Sequence, residues 1–196
     1  GLGLCYIGLR ELFRLVLGAI PEETAQAAAL ERSQGGPWFT RRVVVVSLLV
    51  LMLGGTVVAV ARPGKTWIDG HEAAVSVLTE GLLSLGLLKG TLKANLASGA
   101  YKRFYMHKTG HWIGLDVHDV GEYKVAGDFR ELEPGMAFTI EPGLYIAPGS
   151  KGVPAKYQGI GIRIEDDVLI TKDGHRNLTS GVPKAVDEVE EVLASR

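Results

Sequence analysis

Residues 43–60, VVVVSLLVLMLGGTVVAV, form an eighteen-residue run without a charge, flanked by Arg41-Arg42 and by Arg62. Such a segment has to be hidden from water. As a helix rising roughly 1.5 Å per residue it is about 27 Å long, close to the thickness of a bilayer core. Arginines on both sides give little orientation signal for a membrane span. The other solution is burial inside a soluble domain, where four consecutive valines also suit a strand. Too much chain precedes the run for a signal peptide in its ordinary position.

The composition breaks near the end of that run. Residues 1–60 contain no aspartate, lysine or histidine, and all eight aspartates lie at Asp69 or later. Two regions are therefore expected: an atypical apolar segment over 1–61 and a soluble domain over 62–196. The whole chain has 196 residues, enough for one ordinary domain or half of a larger one. A net charge of −1, with no basic stripe interleaved with aromatics, argues against a nucleic-acid partner. The single cysteine, Cys5, excludes an internal disulfide and a cysteine-based zinc site, so a reducing, cytoplasmic setting is the default. The chain opens on Gly1 rather than methionine, as a fragment or processed product would.

From Arg62 onward the pattern is α+β. Asp69 with Glu72 three residues on reads as a capping-box start, followed by the apolar stripe Ala74, Leu78, Leu82 and Leu85, with stops at Gly86 and Gly90. A short helix is expected over 92–97. Strands are expected over 136–140, 144–147, 160–165 and 167–171, separated by turns containing proline or glycine. A last helix, over 183–193, starts at a proline and carries Val186, Val189 and Leu193 at helical spacing.

The chemistry-bearing residues fall in order along this domain: His107, His111, His118, Glu141, Arg163 and Glu165. Imidazoles and carboxylates together are the ligand set of a divalent metal such as Mn²⁺, Co²⁺ or Zn²⁺. Alternation in MAFTIE puts Met136, Phe138 and Ile140 on one strand face and Ala137, Thr139 and Glu141 on the other. In GIGIRIE it puts Gly161, Arg163 and Glu165 opposite Ile160, Ile162 and Ile164. Two adjacent strands of this kind bring two carboxylates and a guanidinium onto one surface. Any one of these residues has a plainer reading. A lone histidine is more often structural than a ligand, Glu141 could be a rim carboxylate, and Arg163 with Glu165 could be a solvated ion pair. The spacing of His107 and His111 around Lys108-Thr109-Gly110 is not the helical arrangement of zinc proteases. Asp116 and Asp119 fit ligands, orienting acceptors or turn caps equally. His71 and His175 are assigned no role.

The segments RPGKTW, YKRFYMHKTGHWIGLDVHDVG, LEPGMAFTIEPGLYIAP and YQGIGIRIEDDVLIT carry a resemblance to the pita-bread metallopeptidases of the aminopeptidase P type, over residues 62 to about 193. The resemblance implies a pita-bread fold, incomplete on its N-terminal side here. It implies His111, Glu141 and Glu165 as metal ligands, Glu165 bridging two Mn²⁺ ions, with Co²⁺ or Zn²⁺ as substitutes. His107, His118, Glu141 and Arg163 are implied as the catalytic group, with Tyr145 beside them. The implied reaction releases the first residue from peptides whose second residue is proline; such peptides and a second copy of the chain are the implied partners, and no membrane is. One departure stands out. The family carries two further aspartate ligands in an Asp-x10-Asp spacing upstream of the RPG segment, and this chain has no aspartate before Asp69. Phe39-Thr40 keeps the family's interval to Arg62-Pro63-Gly64, so the length is preserved and the side-chain character is not. The expectation is that the first sixty residues are read out of register or come from an altered gene. If neither alternative reading frame yields Asp-x10-Asp-Ile-Thr, that expectation fails. A non-catalytic pita-bread module that binds peptides or proteins is the alternative.

Overall fold

The computed structural model describes residues 41–195. Most of the expected N-terminal segment, residues 1–40, lies outside the described residues. The element order is α1 (Arg41–Val60), α2 (Trp67–Ser84), α3 (Leu92–Ser98), β1 (Lys124–Val125), β2 (Asp128–Phe129), β3 (Ala137–Ile140), β4 (Gly143–Tyr145), β5 (Gly161–Arg163), β6 (Asp166–Thr171), β7 (Gly174–Asn177) and α4 (Val186–Ala194). This is an α+β arrangement of helices on small antiparallel sheets.

The uncharged run forms α1, a helix rather than a strand despite its four valines. It has the length and apolarity of a membrane span, yet one face is packed inside the domain: Val46, Leu49, Val50, Leu53 and Val57 are buried against the rest of the core. Its closest neighbour is α2, and small residues there explain the approach. Val57 lies against Gly70 and Leu49 against Gly81, so the two helices run antiparallel. At Gly81 a Cβ would sit 2.4 Å from Leu49 Cδ1, which leaves no space for a larger residue unless Leu49 moves. Further along, Gly54 faces Pro142, so α1 also backs the strand segment that carries Glu141. Leu49→Ala is expected to cost about 3 kcal/mol, the usual loss for a fully buried leucine. Urea denaturation reads this, and a change under about 1 kcal/mol would mean that α1 is not part of the cooperative core.

Helix α2 starts two residues before the expected Asp69. Thr66 is its N-cap, and Asp69 takes the N3 place of a capping box: it accepts the Thr66 N–H at 2.7 Å and the Thr66 hydroxyl at 2.8 Å. These contacts, chiefly the backbone one, hold the Asp69 carboxyl below its ordinary range. The expected stripe Ala74, Leu78, Leu82 and Leu85 is buried, and the chain leaves the helix through Gly86 at φ 72°. At the other end Trp67 packs on Trp112, Tyr123 and Phe138 with centroids 5.1–5.5 Å apart. That aromatic cluster ties the start of α2 to the histidine-bearing loop.

The strands set the site. β3 pairs with β6, from Ala137↔Leu169 to Ile140↔Asp166, and β4 pairs with β5, from Gly143↔Arg163 to Tyr145↔Gly161. One register runs through both ladders, so Glu141 falls opposite Glu165 in the short interruption between them. Phe138 and Ile140 point into the core as the alternation requires. Strand β7 pairs with β6 and was not expected from the sequence; its GHRN lacks the apolar alternation of a half-buried strand. The β1–β2 hairpin was also unexpected; it turns through Ala126 and Gly127, both at positive φ. The last helix begins at Val186, three residues after the expected Pro183.

Candidate metal centre

Among the described residues, His111, Glu141 and Glu165 form a group whose ligand atoms lie within 4.8 Å of one another. Glu141 is its buried member and Glu165 its exposed one. The two carboxylates face each other from the interruption between the β3–β6 and β4–β5 ladders. The imidazole comes from the loop that runs alongside β3, tied to it by Thr139 N–H to His111 O at 2.9 Å and Glu141 N–H to Thr109 O at 2.7 Å. Gly110 makes this approach feasible. A Cβ there would lie 1.9 Å from the Thr139 carbonyl oxygen.

Hydrogen bonding orients the His111 ring. Its Nδ1 lies 3.0 Å from the Trp112 carbonyl, which can only accept, so Nδ1 carries a proton. Nε2 faces Glu141 Oε1 at 3.4 Å. Either a proton on Nε2, which makes the contact an ion pair, or a cation between the two groups satisfies this approach. A backbone carbonyl behind the ring and a carboxylate in front of it is the arrangement that suits a ligating histidine. The residues therefore fit a divalent ion held by one imidazole and two carboxylates.

Glu141 is further fixed on both oxygens. Arg163 Nη1 reaches Oε2 at 3.2 Å, and the Thr139 hydroxyl reaches Oε1 at 3.2 Å while accepting the His111 N–H at 2.9 Å. Thr139 was placed on the Glu141 face by strand alternation, but nothing in the sequence marked it as the link between Glu141 and His111. His118 stacks on His111 with centroids 4.0 Å apart and is exposed. His107 donates Nδ1–H to the Lys108 carbonyl, and its Nε2 lies 3.0 Å from the Tyr145 hydroxyl. Burial pushes the Tyr145 phenol above its ordinary value, with Arg163 opposing, so it stays a donor. Asp119 caps its own turn, accepting the N–H groups of Leu115 and Val120, and Asp116 is exposed. His175 binds the Ala61 carbonyl at 2.9 Å, far from this centre in its role.

His71 is half-buried on α2, with Nδ1 2.8 Å from the Thr109 hydroxyl. Burial, aided by Lys102 and Lys108 and opposed by Glu72, holds its imidazole below the ordinary 6.5. The unfolded chain therefore binds this proton more readily than the folded one. Its contribution to stability is complete above pH 6.5 and declines as the pH falls below that value. His71→Asn should flatten this acid limb in denaturation measured across a pH series; an unchanged slope contradicts the assignment.

The sequence model of metallopeptidase family M24 matches residues 48–172, and the chain belongs to that family. The match opens inside α1. The Xaa-Pro aminopeptidase of Escherichia coli (strain K12) is 48% identical over 134 residues, which are 68% of this chain and 30% of that protein. Xaa-Pro aminopeptidase 1 of Streptomyces coelicolor is 46% identical over 139 residues, 70% of this chain and 28% of that one. Among solved structures, Pseudomonas aeruginosa aminopeptidase PepP superposes with a TM-score of 0.76 at 51% identity, covering 79% of this chain and 35% of that one. Aminopeptidase P from E. coli with the inhibitor Pro-Leu gives 0.76 at 44% identity, covering 80% and 35%. The chain thus spans about a third of the length of these relatives, and its fold is part of the pita-bread fold they carry.

Proposed function

We propose that this chain carries part of the centre of a metal-dependent aminopeptidase that releases the first residue from peptides with proline in second place. The convergence of His111, Glu141 and Glu165 carries the reading, supported by relatives named Xaa-Pro aminopeptidase. His111, Glu141 and Glu165 hold the metal, Mn²⁺ in the first instance, with Co²⁺ or Zn²⁺ able to take the same donors. When bound, the ion supplies Lewis acidity toward the scissile carbonyl and lowers the pKa of the attacking water. Glu141 accepts the proton as the water oxygen bonds to the carbonyl carbon, and Arg163 keeps its carboxylate aimed. His118, exposed beside His111, donates to the developing oxyanion. His107, held by Tyr145, contacts the peptide. The peptide C–N bond then breaks, and the proline nitrogen leaves with the proton Glu141 had taken.

Peptides and a second copy of the chain are the proposed partners, and the cytoplasm the proposed compartment, on the grounds of the single Cys5 and the relatives. One specific observation limits the activity. No aspartate precedes Asp69, so the donors present are suited to one ion, not two. This favours weak or no dinuclear turnover by the chain itself, and it keeps a non-catalytic peptide-binding module as the second reading. Release of the first residue from an Xaa-Pro peptide, assayed with measured metal content, decides between them. Metal-dependent release, or saturable metal binding with weak release, supports the first reading; peptide binding with no metal bound supports the second. Turnover at the relatives' level with two tightly held Mn²⁺ ions would refute the limit on this chain.

A further inference from the structure

Behind the metal ligands lies a buried polar joint that the proposed reaction does not use. Thr109 is 4% exposed and meets three partners. Its hydroxyl oxygen accepts from the Tyr105 hydroxyl at 2.9 Å and lies 2.8 Å from His71 Nδ1, while its carbonyl accepts the Glu141 N–H at 2.7 Å. Tyr105 is itself buried, and burial pushes its phenol well above the ordinary range, so it remains a donor. With Tyr105 donating into the Thr109 oxygen, that oxygen keeps one proton and one lone pair, so it can donate to His71 Nδ1 or accept from an Nδ1–H.

We propose that His71 is a positioning residue of the metal centre: from helix α2 it fixes the Thr109 hydroxyl, and through the Thr109 carbonyl it fixes the backbone of Glu141. The proposal rests on the metal-centre reading given above and deepens it. Its physical basis is connectivity. The segment from His107 to His111 has no helix or strand ladder of its own. Its place is set by Gly110 pressed on the Thr139 carbonyl, by the bonds to β3, and by this one side-chain link to α2. Helix α2 is rigid, being packed along its length on α1 and pinned by Trp67. Without the His71 bond, the Thr109 side chain is held by Tyr105 alone, and the side-chain link from α2 to the backbone that holds Glu141 is lost. Metal affinity responds to such outer contacts by roughly ten- to a hundredfold. A purely structural histidine would alter melting and leave affinity per folded molecule unchanged.

The test is Mn²⁺ titration of the full 196-residue chain, read by loss of the free-ion EPR signal, alongside thermal melting. His71→Phe, which keeps a ring and deletes the Nδ1 hydrogen bond, is expected to weaken Mn²⁺ binding about tenfold. His71→Asn, whose side-chain amide can donate or accept at the Nδ1 place, is expected to restore most of it. Should His71→Phe fail to fold, Thr109→Val removes the same bond from the other side and carries the same expectation. Equal affinity in the Phe or Val variant, or no rescue by Asn, overturns the proposal. If the unaltered chain holds no Mn²⁺, the metal-centre reading itself falls, and amide hydrogen exchange decides the positioning role alone. The Glu141 amide should then exchange at least about tenfold faster in His71→Phe relative to the Ile170 amide of the same sheet. An unchanged ratio overturns it.

Discussion

Glu141→Ala is expected to weaken divalent-metal binding by at least about a hundredfold, the upper end of what outer contacts alone produce. Glu141 is the only member of the ligand group that touches each neighbouring device: His111 at 3.4 Å, Arg163 at 3.2 Å and the Thr139 hydroxyl at 3.2 Å. Truncating it removes one ligand oxygen and leaves Arg163 aimed at the position the ion would take. Two donors from His111 and Glu165 remain, one of them on an exposed side chain. Glu141→Gln separates charge from shape: it keeps the Thr139 contact and should still lose most of the affinity. Isothermal titration with Mn²⁺ measures both. Affinity within threefold of the unaltered chain in Glu141→Ala would place the ion, if any, elsewhere.

Gly110→Ala should be the most damaging single methyl addition in the domain, destabilising by about 3 kcal/mol or more. Its added carbon would lie 1.9 Å from the Thr139 carbonyl oxygen and 2.7 Å from its carbon. Those are backbone atoms of a paired strand, so the clash cannot be relieved by a rotamer change. The loop must lift off β3, breaking the bonds that hold His111 and Glu141 in place. Gly55→Ala is the contrast. It lies on the exposed side of α1 with open space around it, and alanine there should add roughly 0.5–1 kcal/mol through helix propensity. Chemical denaturation of both variants checks the pair; similar losses at the two positions would contradict the close packing assigned to Gly110.

Periodicity made part of this molecule readable in advance. The alternation in MAFTIE and GIGIRIE placed Glu141, Arg163 and Glu165 on matching faces, and the structure sets those segments side by side with Glu141 opposite Glu165. The α2 stripe was legible for the same reason. Where periodicity is absent, the reading stopped. The run Val43–Val60 is apolar all round, so it carried no phase to separate helix from strand or core from bilayer; the small residues of α2 that receive it decide its packing. Strand β7 is polar and owes its place to pairing with β6. Thr109, Thr139 and His71 are joined to their neighbours by side-chain hydrogen bonds, and sequence spacing does not encode contacts thirty-eight residues apart such as His71 with Thr109. Asp69 showed the cost of reading a cap from its side chain alone: the capping box was present, shifted so that Thr66 caps and Asp69 reaches back.

The central claim is that His111, Glu141 and Glu165 together hold a divalent ion. Direct titration of Mn²⁺ into the unaltered chain, followed by EPR, tests it most simply. The expected result is saturation at one ion per chain, with binding lost in His111→Ala and in Glu165→Ala. No saturable binding, or saturation unchanged in both variants, would contradict the account.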